Sequence, residues 1–273
     1  MVLGTDIEDI MKKIIDTFMF FNELDLLEGR LEYLYPVVDK FIIVESNLTF
    51  SGKEKDFLLS KNFKRYKKYR DKIIYLQYNI DISDYELSDK PKDIDYTHFS
   101  WKIEEEQRNY PIKVLEHFGN DAVVLINDLD EIPKKSSLLE AVQLLDENKI
   151  FGMIFDLYYY NLNNEPKLND WWGSCLSTVN TIKRYGNIGD IRRHRAQFRD
   201  DDQIMLNSGW HLSYWGGFDK IRYKIDSFSH QELNNEEHLN KMKESFEQTK
   251  TATQYKTQDQ ELIENFARYS TNQ

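Results

Sequence analysis

The stretch that most constrains this chain is Ala122-Val-Val-Leu-Ile-Asn-Asp-Leu-Asp-Glu-Ile-Pro133. An apolar run rich in β-branched side chains stops abruptly at Asn127, Asp128, Leu129, Asp130 and Glu131. Such a run reads as a strand buried on both faces, the kind found in parallel sheets. Side chains alternate along an extended backbone, so Asp128 and Asp130 leave the strand end on one side and Leu129 on the other. Two neighbouring carboxylates repel each other unless a cation sits between them. Open α/β sheets also bind their ligands beyond the carboxyl ends of the strands. The expectation is a divalent-metal site that holds a diphosphate. Spacing alone is weak support, because 47 acids in 273 residues give about eight acid-x-acid pairs by chance. Asp93/Asp95 and Asp200/Asp202 share the spacing, but no buried run precedes them. Placement singles out the pair at 128 and 130.

A chain of this length suits one large domain, and 40% hydrophobic content with 14% aromatic residues supplies a core. The net charge of -11 argues against non-specific binding to nucleic acid or to anionic lipid. An acidic protein that takes an anionic substrate must invert its local field, and a bound cation does that directly. Cys175 is the single cysteine, so no internal disulfide can form. Residues 1–15 contain Asp6, Glu8 and Asp9 and do not read as a signal peptide. No apolar run approaches the roughly 18 residues of a membrane span. A soluble, cytoplasmic protein is the expectation.

Residues 14–21 read as a first strand. Asn22 then caps a helix whose Leu24, Leu27, Leu31 and Leu34 share one face, and Pro36 ends it. Residues 41–44 and 73–76 read as further buried strands, with a basic helical segment over 56–70 whose charges mark a solvated face. Ser100 is read as the cap of a helix interrupted at Pro111, and Ser137-Leu-Leu-Glu140 as a capping box. Residues 150–160 complete the set of strands. Alternating strand and helix predict an α/β domain with a largely parallel sheet. Residues 161–206 look irregular. Their basic cluster, Arg192 to Arg195 with Arg199, reads as a surface patch beside Asp200–Asp202, with phosphate or acceptor binding as the alternative. Residues 208–217 read as a glycine-rich loop able to approach a ligand, and residues from about 236 as a helical tail.

Six segments in order resemble glycosyltransferase family 17, the family of the bisecting N-acetylglucosaminyltransferase. They are Asp16-Thr-Phe-Met-Phe-Phe-Asn-Glu-Leu-Asp-Leu-Leu-Glu-Gly-Arg30, Val44-Glu-Ser-Asn-Leu-Thr-Phe-Ser-Gly-Lys53, Glu106-Gln-Arg-Asn109, Asn127-Asp-Leu-Asp-Glu-Ile-Pro133, Ser208-Gly-Trp-His-Leu-Ser-Tyr-Trp-Gly-Gly217 and Lys224-Ile-Asp-Ser-Phe-Ser-His-Gln-Glu232. The resemblance implies one GT-A-type, Rossmann-like domain over residues 1–273, with a mostly parallel sheet flanked by helices. It also implies metal-dependent, inverting transfer of a sugar, N-acetylglucosamine favoured, from a UDP-sugar donor to a glycan or glycoprotein hydroxyl.

On that basis Asp128, Asp130 and His211 are the expected ligands of Mn²⁺ or Mg²⁺, with His230 competing for the place of His211. Hard oxygen donors suit either ion, and an imidazole favours manganese. Asp170, Glu232 and Asp156, in that order, are candidates for the base that deprotonates the acceptor. Phe18, Asn22, Glu45, Asn47, Arg108 and Asp128 are candidates for donor recognition, Phe18 by stacking on the uracil. Trp171, Trp172 and Trp215 could face a sugar ring or belong to the core. Two rival readings are a non-catalytic carbohydrate-binding module and an Asp-x-Asp phosphatase. A phosphatase would usually carry its pair on the first strand.

Overall fold

The computed structural model describes residues 12–194, 203–250 and 254–270. Its apolar runs pair as anticipated: β1 (Ile14–Met19), β2 (Lys40–Ser46), β3 (Ile73–Tyr78) and β4 (Val123–Ile126) lie in the order β3-β2-β1-β4, all parallel. Both faces of this half are covered. Val123 and Leu125 pack with α1 (Leu24–Leu34) in one core cluster, and Val124 and Ile126 enter a second cluster on the opposite face. Each such fully buried side chain stabilises the fold by about 1.5–3 kcal/mol.

The sheet continues through β5 (Glu131–Pro133), β6 (Phe151–Tyr159), β7 (Lys167–Thr178), β8 (Ile204–Met205) and β9 (Gly209–Ser213), in the order β4-β7-β6-β9-β5 with β8 beside β6. β7 runs antiparallel to β4 and β6, and β9 runs parallel to β6. The architecture is α/β, with a mostly parallel sheet between helices.

Several local readings change. Residues 161–206 hold a twelve-residue strand, β7, whose first four residues are exposed and therefore carry no apolar alternation. Residues 209–213 are a buried strand and not a loop. A Cβ on Gly209 would lie 2.5 Å from the Ile132 carbonyl oxygen, so close backbone approach demands glycine there. α3 (Phe99–Asn109) is capped by His98 Nδ1, which accepts from Ser100 N–H, and α4 (Ile112–Leu115) follows Pro111. α5 (Lys135–Leu144) places Ser137 inside the helix, where it cannot cap. α6 (Val179–Tyr185), α7 (Ile188–His194) and α8 (Phe218–Ser227) precede α9 (Glu236–Lys250) and α10 (Gln260–Phe266). α10 enters the main core: Leu262 and Phe266 are fully buried, and the Phe266 ring lies 5.6 Å from Tyr33 and 5.9 Å from Trp210. No helix among the described residues is long and apolar enough to cross a membrane.

Candidate active site

The parallel half of the sheet delivers residues 127–131 to the carboxyl ends of β1 and β4, and a buried arginine fixes them there. Arg30, on the inward face of α1, forms a two-point ion pair with Asp16 of β1, with both contacts at 2.8 Å and neither side chain exposed. Its Nη2 also donates to Asn127 Oδ1 at 2.6 Å, and Nη1 to the carbonyls of Leu129 and Glu131 at 3.1 and 2.5 Å. One guanidinium therefore satisfies backbone oxygens that the turn would otherwise bury unpaired.

Arg192 of α7 holds the same turn from the cavity side. It donates to Asp128 Oδ2 at 2.5 Å, to both oxygens of Glu131 at 2.7 and 2.8 Å, and to the Gly173 carbonyl at 2.6 Å. Glu131 is fully buried and also accepts from Asp128 N–H, Trp171 Nε1 and Ser174 Oγ, so it orders the turn. Gly173 is required at this point, because a Cβ would lie 2.0 Å from Glu131 Oε1.

Asp128 and Asp130 both line a cavity of about 710 Å³. Their basic partners differ. Asp128 pairs with Arg192 and, at 3.0 Å, with Arg108, whose other branch reaches Glu104 at 2.8 Å. Asp130 lies 2.7 Å from Lys224 and 3.5 Å from His211. Burial pushes both carboxyls up, but their basic neighbours outweigh it: Arg108 and Arg192 bring Asp128 down to about 2, and Lys224, with a hydrogen bond from His211, holds Asp130 well below the usual carboxylate range. Lys224 is raised in turn, because Asp130 and Glu23 more than offset its own desolvation.

Of the residues singled out in the sequence, Arg108, Asp128, Asp130 and His211 meet at this cavity. Trp171 and Trp172 line it too, the Trp171 ring lying 4.1 Å from the His211 ring, while Trp215 is buried. Phe18, Asn22, Glu45 and Asn47 do not line it. Phe18 is a core residue beneath the Arg30 guanidinium, 4.7 Å away, and so is closed to a nucleobase. The Asn22 backbone N–H is held by Glu23 Oε2 at 3.0 Å. Glu45 is fully buried and accepts from the N–H groups of Leu58 and Leu59, which places it at the start of helix α2 (Leu58–Asn62), as a carboxylate prefers. Asn47 ties the end of β2 to Ile80, accepting its N–H at 2.8 Å. The three base candidates also lie outside the lining. Asp156 is buried and accepts from Asn169 N–H at 2.8 Å, Asp170 is half-exposed beside Trp171, and Glu232 stands behind His230 at 2.7 Å.

Sequence reasoning missed Arg30, Asp16 and Lys224, and read Arg192 as surface. Opposite charges inside two otherwise apolar elements, β1 and the buried stripe of α1, were a usable signal for the Asp16–Arg30 pair. Arg193 pairs with Glu105 and Asp190 and does lie at the rim. Arg195, Arg199 and Asp200–Asp202 lie outside the described residues.

Among the described residues no three carboxylate, imidazole or thiolate side chains form a ready-made metal cage. Asp130 and His211 nonetheless offer a carboxylate and an imidazole side by side, Nε2 of the ring lying 3.5 Å from the carboxylate, while the other ring nitrogen, Nδ1, is buried with no hydrogen-bond partner among the described residues. This donor pair fits Mn²⁺ or Mg²⁺ if water and phosphate oxygens fill the remaining positions, as they commonly do for magnesium.

The family model of glycosyltransferase family 17 matches residues 2–252, and the chain belongs to that family. It is accordingly a glycosyltransferase, an enzyme that transfers a sugar. No curated protein matches the chain. Among solved structures, it is similar to the crystal structure of the galactosyltransferase LgtC in complex with donor and acceptor sugar analogues, at 9% identity over 93% of this chain and 99% of that one, with a TM-score of 0.35.

Proposed function

We propose that this enzyme transfers a sugar, N-acetylglucosamine favoured, from a UDP-sugar to a glycan hydroxyl with inversion, as the bisecting enzymes of the family do. One observation carries the reading: Asp128 and Asp130 stand beyond the carboxyl end of a buried parallel strand, in a cavity where Arg108, Arg192 and Lys224 face them. Departure of the nucleoside diphosphate builds negative charge on its β-phosphate, and preorganised cations lower that barrier without reorganising. Lys224 and the two arginines are placed for this work. Asp130 and His211, with Asp128 beside them, would hold Mn²⁺ or Mg²⁺, which supplies Lewis acidity when bound. Trp172 and Trp171 offer the acceptor an aromatic wall. Asp170, the solvent-accessible carboxylate next to them, takes the acceptor proton in preference to the buried Asp156 or to Glu232.

The test is UDP release from a panel of UDP-sugars with a glycan acceptor, with and without Mn²⁺. Fastest release from UDP-N-acetylglucosamine in the presence of Mn²⁺ is expected. Absence of UDP release from every donor, with or without an added divalent ion, would overturn the proposal.

A further inference from the structure

The cavity has a second end, away from Asp130, that the chemistry above does not use. There Trp101, Tyr96, Phe228 and His230 supply rings, with Tyr96 at 4.9 Å and His230 at 4.7 Å from Trp101. Two side chains at this end carry an unsatisfied polar atom. Trp101 Nε1 and Ser227 Oγ belong to residues that line the cavity, and both are buried with no hydrogen-bond partner among the described residues. Ser227 itself is only 3% exposed. A buried donor without a partner costs free energy comparable to a lost hydrogen bond, so two on one cavity wall point to a ligand that completes them.

Two helices join this end to the carboxylates. On α3, Trp101, Glu104 and Arg108 share the cavity face, and Arg108 grips Asp128. The seven helical steps from Trp101 to Arg108 span about 10.5 Å, the reach of a ribose and two phosphoryl groups from a base. On α8, Lys224 pairs with Asp130 and Ser227 lies three residues on, at the ring-lined end. Each helix thus offers a cation to the phosphate end and a hydrogen-bonding group to the aromatic end. The Ser51 N–H bond to the Ser227 carbonyl, at 3.1 Å, fixes α8 to the loop after β2.

We infer that the Trp101–Ser227 end of the cavity takes the nucleobase of the donor. The rings stack on the base, and Trp101 Nε1–H and Ser227 Oγ–H donate to its ring carbonyls. Trp Nε1 can only donate, and uracil presents two carbonyl acceptors. The inference rests on the nucleotide-donor reading above, and it moves base recognition away from Phe18, Asn22, Glu45 and Asn47.

The test is isothermal titration of UDP and, separately, of inorganic pyrophosphate into the wild type, Trp101→Leu, Trp101→Phe and Ser227→Ala, with melting curves to establish folding. Trp101→Leu should weaken UDP binding by about tenfold or more through lost stacking while pyrophosphate binds as before. Trp101→Phe and Ser227→Ala, which each remove one donor and little shape, should weaken UDP by about three- to tenfold. If these folded variants bind UDP as the wild type does, or lose UDP and pyrophosphate equally, the nucleobase assignment is wrong and the donor reading stands. A wild type that binds pyrophosphate but gains nothing from the uridine moiety also refutes the assignment. A wild type that binds neither ligand, with or without Mn²⁺, removes the donor reading and this inference together.

Discussion

The turn at residues 127–131 is held from two sides by two buried arginines, and the two sides are built differently. Beneath it, Arg30 spends its donors on Asp16, Asn127 and main-chain oxygens, fully enclosed between α1 and β1. On the cavity side, Arg192 meets the carboxylates of Asp128 and Glu131 at a wall that a ligand can reach. The lower pair fixes where the carboxylates stand. The upper cluster sets their charge. The site thus separates the geometric task from the electrostatic one.

That separation can be broken experimentally. The largest effect is expected from Arg30→Met, which leaves Asp16 as an enclosed charge without its cation and frees the carbonyls of Leu129 and Glu131. Loss of about 3–5 kcal/mol is expected, read as a shift in the urea midpoint; a loss under about 1 kcal/mol would deny Arg30 its supporting role. Next is Asp130→Asn, which keeps shape and removes charge. Sugar transfer should fall by about 100-fold or more in a variant that still folds, although the urea midpoint also drops with the loss of the Lys224 pair, and full activity would remove Asp130 from the chemistry. Arg192→Met should then separate the two sides. Glu131 keeps its bonds from Trp171, Ser174 and the Asp128 N–H, so the stability loss should be smaller, about 1–3 kcal/mol, while donor affinity falls. Should Arg30→Met and Arg192→Met lower stability and donor affinity in the same proportion, the distinction between floor and wall is lost.

The same contrast explains what could be read from the sequence. β1 to β4 were legible because a strand covered on both faces must be an unbroken apolar run, and the first polar residues after β4 had to lie at the sheet's edge. Asp128 and Asp130 were placed beyond that edge on this logic, and both line the cavity. β7 was not legible, because Lys167 to Asp170 are exposed and Trp171-Trp172-Gly173 follow no period; the strand exists through its pairing with β4 and β6. Arg192 was hidden for a related reason. A seven-residue helix rich in arginine looks like surface until its tertiary placement against Glu131 is known. The sequence reading set a divalent cation beside the two neighbouring carboxylates; the protein also gives each acid basic partners of its own, from α3 and α7 for Asp128 and from α8 for Asp130.

The smallest effect expected is a pH dependence, and its sign follows from those partners. Asp128, although its burial opposes ionisation, is held at about 2 by Arg108 and Arg192, against an unfolded carboxyl near 3.9. The unfolded state therefore binds the proton first as pH falls. The stabilisation from this pair is fully present above about pH 4 and drains away as pH drops through the folded value near 2. Asp128→Asn has no such proton to bind. Wild type should therefore exceed Asp128→Asn in urea midpoint at pH 5 to 7, and the gap should narrow steadily from pH 4 toward pH 2. A gap that stays constant over that range would mean that the Asp128 charge contributes nothing to the fold, leaving the arginines to Glu131 and Glu104 alone.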